Sequence, residues 1–263
     1  MPVIAGQADT TGITITTLVA GGAVLRDAAG NPGSLVLAGI PATAGVRIQT
    51  DRDGLSQAEE DEAPGLPPPG GGVPVAGDGN GDGIADSAQP AVASATFVQS
   101  DTGLSNPGTA PPTFLTLVSG SVEGKPANTA TDAQITSLTQ QDAPADLPEG
   151  LEMPLGLVAF TAALASGVST EHFSLYVDPD LGINGYWKQD NSGTWANLAS
   201  APYGGETVME GGRLRLDFKI DDGGAFDQDG AVNGLISDPG APGFMPLSIV
   251  GLAPDLPAQG FFF

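Results

Sequence analysis

Apolar and polar positions alternate along much of this chain in short runs, the period of two that turns one face of a strand to a core and the other to water. The clearest run is Arg213-Leu214-Arg215-Leu216-Asp217-Phe218-Lys219-Ile220, with Leu214, Leu216, Phe218 and Ile220 on one face and charges on the other. Residues 12–19 alternate apolar and threonine positions, and 34–38 and 45–49 continue the pattern after the turn-forming Asp27-Ala28-Ala29-Gly30-Asn31-Pro32-Gly33. Further strands are predicted over 91–99, 113–118, 134–138, 157–163, 171–177, 185–188, 194–198, 213–220, 233–236, 247–252 and 260–263. The best helical segment in the N-terminal half, 56–62, is short and acidic. Many short strands at this spacing, with turn residues between them, predict an all-β protein built as an antiparallel β-sandwich or jelly roll.

The runs divide the chain into a small N-terminal β unit over 1–62, a linker over 63–76 and a larger β-sandwich over 77–263. Within the linker, Pro67-Pro68-Pro69 stiffens the backbone toward polyproline II and Gly70-Gly71-Gly72 loosens it again.

Composition sharpens this picture. The 39 glycines and 23 prolines among 263 residues approach the level of low-complexity chains, but 40% of residues are apolar and fall in strand-length runs, so a core is available. Eight basic against 31 acidic residues give a net charge of −23, which repels phosphate backbones and anionic lipid and argues against nucleic-acid binding and membrane insertion. The absence of cysteine removes disulfides, zinc thiolates, iron–sulfur clusters and cysteine nucleophiles together. No apolar run reaches the roughly 18 to 20 residues of a membrane-spanning helix. The start, Met1-Pro2-Val3-Ile4, lacks the basic and continuous apolar regions of a signal peptide, leaving a mature or truncated form, another export route or an intracellular protein.

Much of the negative charge falls in loops with the spacing of calcium ligands. In Asp78-Gly79-Asn80-Gly81-Asp82-Gly83-Ile84-Ala85-Asp86-Ser87-Ala88-Gln89, oxygen side chains stand at positions 1, 3, 5 and 9 of an EF-hand-type loop, with glycine at 6. The expected ligands are Asp78, Asn80, Asp82, the backbone carbonyl of Ile84, Asp86 and Gln89; Gln89 replaces the usual bidentate glutamate. Calcium requires six to eight hard oxygens, and alternate residues of a tight turn point inward together. An upstream loop, residues 49–60, has the complementary defect. Asp51, Asp53 and Glu60 fill positions 3, 5 and 12 and Leu55 offers its carbonyl at 7, but Gln49 stands at position 1. The same residues also fit a helix start capped by Asp53 or Ser56. A third cluster, Asp227, Asp229 and Asn233, fits either a shared ion or turns capped by their own side chains.

Catalytic signals are weak. The single histidine, His172, lies on a predicted strand and would have to serve any Ser-His-Asp triad. With 31 acidic residues, a glycosidase-like carboxylate pair arises by chance. Tyr186, Trp187 and Trp195 form an aromatic concentration that fits sugar stacking or ordinary core packing. The tail Gly260-Phe261-Phe262-Phe263 fits a final strand, strand addition to a neighbouring subunit or an export signal.

Several of these elements, in order, resemble the bacterial choice-of-anchor U domain: Gly77-Asp78-Gly79-Asn80-Gly81-Asp82-Gly83-Ile84-Ala85-Asp86-Ser87, Leu155-Gly156-Leu157-Val158-Ala159-Phe160, Gly185-Tyr186-Trp187-Lys188, and Asp221-Asp222-Gly223-Gly224-Ala225-Phe226-Asp227 through Asp238-Pro239-Gly240. The resemblance covers residues 77–263, and Asp51-Arg52-Asp53-Gly54-Leu55-Ser56 with Glu59-Glu60 is similar to the thrombospondin type 3 calcium repeats that precede such domains. It implies a secreted or surface-displayed bacterial protein, β-rich, calcium-associated and without enzymatic activity. The expected function is structural: an adhesion module or a self-assembling filament or matrix subunit, with itself or cell-surface and matrix components as partners. A glycan-binding module is the alternative, and a carboxylate-dependent hydrolase the less favoured one.

Overall fold

The computed structural model describes residues 51–99, 111–120 and 133–246. The strands predicted over 12–19, 34–38, 45–49, 247–252 and 260–263, and Gln49 of the upstream loop, lie outside the described residues. Within them the protein is an all-β sandwich. The first sheet holds β1 (Val92–Phe97), β2 (Thr113–Ser119), β5 (Thr170–Val177), β9 (Arg213–Asp221) and β8 (Glu206–Glu210), in that spatial order. The second holds β3 (Gln134–Gln141), β4 (Leu157–Ala163), β10 (Leu235–Gly243), β6 (Gly185–Gln189) and β7 (Trp195–Asn197). Every pairing is antiparallel.

The core lies between the sheets, and the alternation read from sequence selects its members. β5 and β9 pair Phe173 with Phe218 and Leu175 with Leu216, all inward and buried. A bulge between Ile135 and Ser137 lets Ile135 and Leu138 both point inward although they stand three positions apart. Aromatic rings bridge the sheets: Phe160 lies 4.8 Å from Phe173, and Tyr186 stacks on Phe218 at 3.9 Å between centroids. Beneath that ring, buried Lys188 pairs with buried Asp238, and the Tyr186 hydroxyl donates to Asp238 at 2.8 Å.

Two strands depart from the prediction. β8 was not expected; Val208 and Met209 are the only large apolar residues on this edge, so it lacks a core-facing pattern. β10 runs to Gly243 although the apolar pattern predicts an end at 236. The continuation buries a charge rather than a hydrophobe, at Asp238. Gly240 then follows because a Cβ there would stand 2.6 Å from the Tyr186 ring.

Residues 51–91 form an arm across the outer face of the first sheet. Its only α-helix is one turn, α1 (Gln57–Glu60), shorter than predicted and capped by Ser56 Oγ, which accepts the Glu59 amide at 3.2 Å. The stretch predicted as a linker is pinned at both ends: Leu66 N donates to Asp78 O at 2.9 Å and Gly77 N to Ala63 O at 2.8 Å. Leu66 is buried among Val92, Val118 and Tyr176. It also abuts the turn between β8 and β9, where a Cβ on Gly211 would meet Leu66 Cδ1 at 2.7 Å. Among the described residues no helix is long and apolar enough to cross a membrane.

Candidate metal centre

Asp51, Asp53 and Glu60 are separated by a turn and by α1, and the fold closes them onto one another. Arg52 takes a left-handed φ of 73° and remains exposed, and Gly54 follows at 94°. Asp53 Oδ1 accepts the Leu55 amide at 2.8 Å, a local turn that feeds into the Ser56 cap. One helical turn later Glu60 returns to the two aspartates. The three carboxylates offer oxygens that all lie within 4.8 Å of one another. All three residues are buried, at 4%, 0% and 1% exposure.

This arrangement is electrostatically incomplete. The Oδ2 atoms of Asp51 and Asp53 are buried without a hydrogen-bond partner. The ion pairs among the described residues use Lys188 or Arg215, and none reaches this cluster. Ionised carboxylates at such separations repel by about 4 kcal/mol per pair at an effective dielectric of 20. Burial, then Asp53 and Asp51, pushes the Glu60 carboxyl up to about 10, and burial followed by Asp53 lifts Asp51 to about 6. Burial raises Asp53 as well. Converging hard oxygens, two of them orphaned, could hold a hard metal ion and offer nothing to a soft one. Leu55, expected to contribute only its carbonyl, packs its side chain against the core.

The downstream loop is more self-contained. Asp78 accepts the amides of Asp82 at 3.1 Å and Gly83 at 3.0 Å, and Asn80 donates its side-chain amide to Asp82 Oδ2 at 3.1 Å. Gln89 Nε2 donates to Ile84 O at 3.1 Å and Asp82 Oδ1 at 3.2 Å, so loop positions 5, 7 and 12 do converge. Turning that amide over would present its oxygen at the same place. Asp86 faces the sandwich instead. Its oxygens accept Gly79 N at 3.0 Å, and its Oδ2 accepts Ser94 Oγ at 2.6 Å; burial pushes its carboxyl up to about 7. Ser94 was not expected to contact either loop, yet it touches both, since its amide donates to Glu60 Oε1 at 3.4 Å. A serine on an alternating strand carries no local signal of that role.

In the third cluster the side chains serve turns. Asp227 accepts the amides of Gly223 at 2.8 Å and Ser237 at 3.0 Å, and Asn233 Nδ2 donates to Asp229 Oδ2 at 3.0 Å. His172 lies on β5 beside a small cavity of about 260 Å³ with Glu206 and Asp217, where the Ser174 hydroxyl is donated to Asp217. The aromatic group is dispersed. Tyr186 is in the core, and Trp187 packs with Leu151, Met153 and Ala241. Trp195 lines a groove of about 640 Å³ on the outer face of the second sheet, beside Thr139, Thr161 and Ser237.

Compared with models of protein families, with curated proteins and with solved structures, the chain matches none.

Proposed function

We propose that this chain is a calcium-stabilised structural module, with Asp51, Asp53 and Glu60 as the principal ion-binding carboxylates and the Asp78–Gln89 loop as a second, weaker site. The observation that carries the reading is the buried acidic triad, in which two carboxylate oxygens lack any partner and, among the described residues, no ion pair offsets the charge. The ion would fasten α1 to the sandwich. Asp78, Asn80, Asp82, the Ile84 carbonyl and Gln89 would supply the second site after a turn of the Gln89 amide. Loops that each lack one standard ligand suit the millimolar calcium of extracellular space rather than trace cytosolic levels. We therefore place the protein outside the cell or at its surface, as an adhesion or matrix module, in keeping with its resemblance to choice-of-anchor U domains.

The test is calcium binding by the purified full chain, measured by equilibrium dialysis. The expected result is saturable binding that Glu60→Gln weakens at least tenfold. Absence of binding at millimolar calcium overturns the reading.

A further inference from the structure

β1 is an edge strand whose sequence, Val92-Ala93-Ser94-Ala95-Thr96-Phe97, carries no charge, no proline and no bulge, the devices by which sheet edges ordinarily avoid pairing with other chains. It bonds β2 through one side. On its other side the amides that face away are each met by a cap. Val92 N donates to Gln89 O at 3.0 Å, Ser94 N to Glu60 Oε1 at 3.4 Å, Thr96 N to Glu59 Oε1 at 3.0 Å and Val98 N to Gln140 Oε1 at 3.0 Å. The caps follow the strand's period of two, so they occupy the hydrogen-bonding positions that an added strand would use. The other edges differ: β8 carries Glu206 and Glu210, β7 has three residues, and β3 contains a bulge.

Two of the caps, Glu59 and Glu60, sit on the single helical turn that completes the acidic triad. We propose that β1 is a masked strand-addition surface, that its partner is a second copy of this chain paired antiparallel through the same strand, and that the ion at Asp51, Asp53 and Glu60 holds the mask closed. The proposal rests in part on the cation reading above. A second β1 is the fitting occupant because antiparallel pairing of a strand with itself about a two-fold axis satisfies both edges reciprocally. The side chains alternate small Ala93 and Ala95 with Ser94 and Thr96, so nothing bulky or charged obstructs the approach. Without the ion, three buried carboxylates face one another and α1 leaves the strand, freeing the amides of Ser94 and Thr96.

Sedimentation velocity on the full chain tests this, with melting temperature measured on the same samples. In calcium the wild type is expected to sediment at 26.2 kDa; in EDTA its mass doubles. Thr96→Pro, which removes an outward amide from an edge strand where proline is tolerated, is expected to stay monomeric in EDTA. Glu59→Ala/Gln140→Ala strips two caps while Glu60 still covers Ser94, and is expected to stay monomeric in calcium but to dimerise in EDTA at lower concentration than the wild type. A wild type that melts lower in EDTA yet stays monomeric overturns the mask while leaving the cation reading intact. A dimer that survives Thr96→Pro overturns β1 as the surface. Unchanged melting in EDTA overturns the role of the ion, and a Glu59→Ala/Gln140→Ala protein that stays monomeric in EDTA overturns the edge itself.

Discussion

Chelation should destabilise this protein in a strongly pH-dependent way, and the triad sets the sign. While α1 stays docked without the ion, Glu60 is lifted from the ordinary 4.5 to about 10, so between those values the docked chain holds a proton that the chain with α1 released or unfolded gives up. Stability therefore falls as pH rises through that window, by up to about 1.4 kcal/mol per pH unit. From about pH 5 to pH 8 this amounts to roughly 4 kcal/mol, a large share of a total stability of about 5–15 kcal/mol. Asp51, lifted from 3.8 to about 6, adds a smaller loss confined to the acid end. A bound divalent cation selects the ionised carboxylates and offsets their charge, which removes the penalty. At about 2–4 °C per kcal/mol for a domain of this size, the gap in melting temperature between calcium and EDTA should be small near pH 5 and widen by roughly 10–15 °C at pH 8. Scanning calorimetry in matched buffers measures it, with Glu60→Gln as a control whose gap stays narrow. A gap that is constant with pH, or an EDTA-treated protein that becomes more stable as pH rises, would refute the reasoning.

Two further substitutions probe the scaffold. Lys188→Met leaves Asp238 buried without its cation, supported only by the Tyr186 hydroxyl, and should cost about 3–5 kcal/mol in urea unfolding; a loss below about 1 kcal/mol would show that the pair is not desolvated as described. Gly211→Ala places a methyl 2.7 Å from Leu66 Cδ1 at a left-handed φ of 56° and should cost about 1–3 kcal/mol, read by the same assay; an unchanged midpoint would mean that the arm yields freely.

The sequence exposes those parts of the fold where burial and hydrophobicity coincide. β4 matches its predicted limits and β9 extends one residue beyond them, because Val158, Phe160 and Ala162 or Leu214 to Ile220 supply a clean alternation. It hides β10, whose buried residue is an aspartate neutralised by Lys188, an arrangement visible only once the two strands are adjacent. The convergence of the carboxylates of 51, 53 and 60 was legible from their spacing, since turn geometry there is local. What was not legible is the strand beneath it. Ser94 reaches the downstream loop across 8 residues and the upstream loop across 34, and Glu59 caps Thr96 across 37, through contacts that leave no periodic trace.

The position of the arm also fixes an order of events during folding. Leu66 precedes in sequence every surface it rests on, and its niche among Val92, Val118 and Tyr176 exists only after β1, β2 and β5 have paired. The neighbouring turn at Gly211 forms later still along the chain, so the arm docks at the end of a slow assembly governed by distant strand pairings. Under the reading proposed above, an ion captured by the triad would be a final seal on a finished sandwich rather than a seed for it.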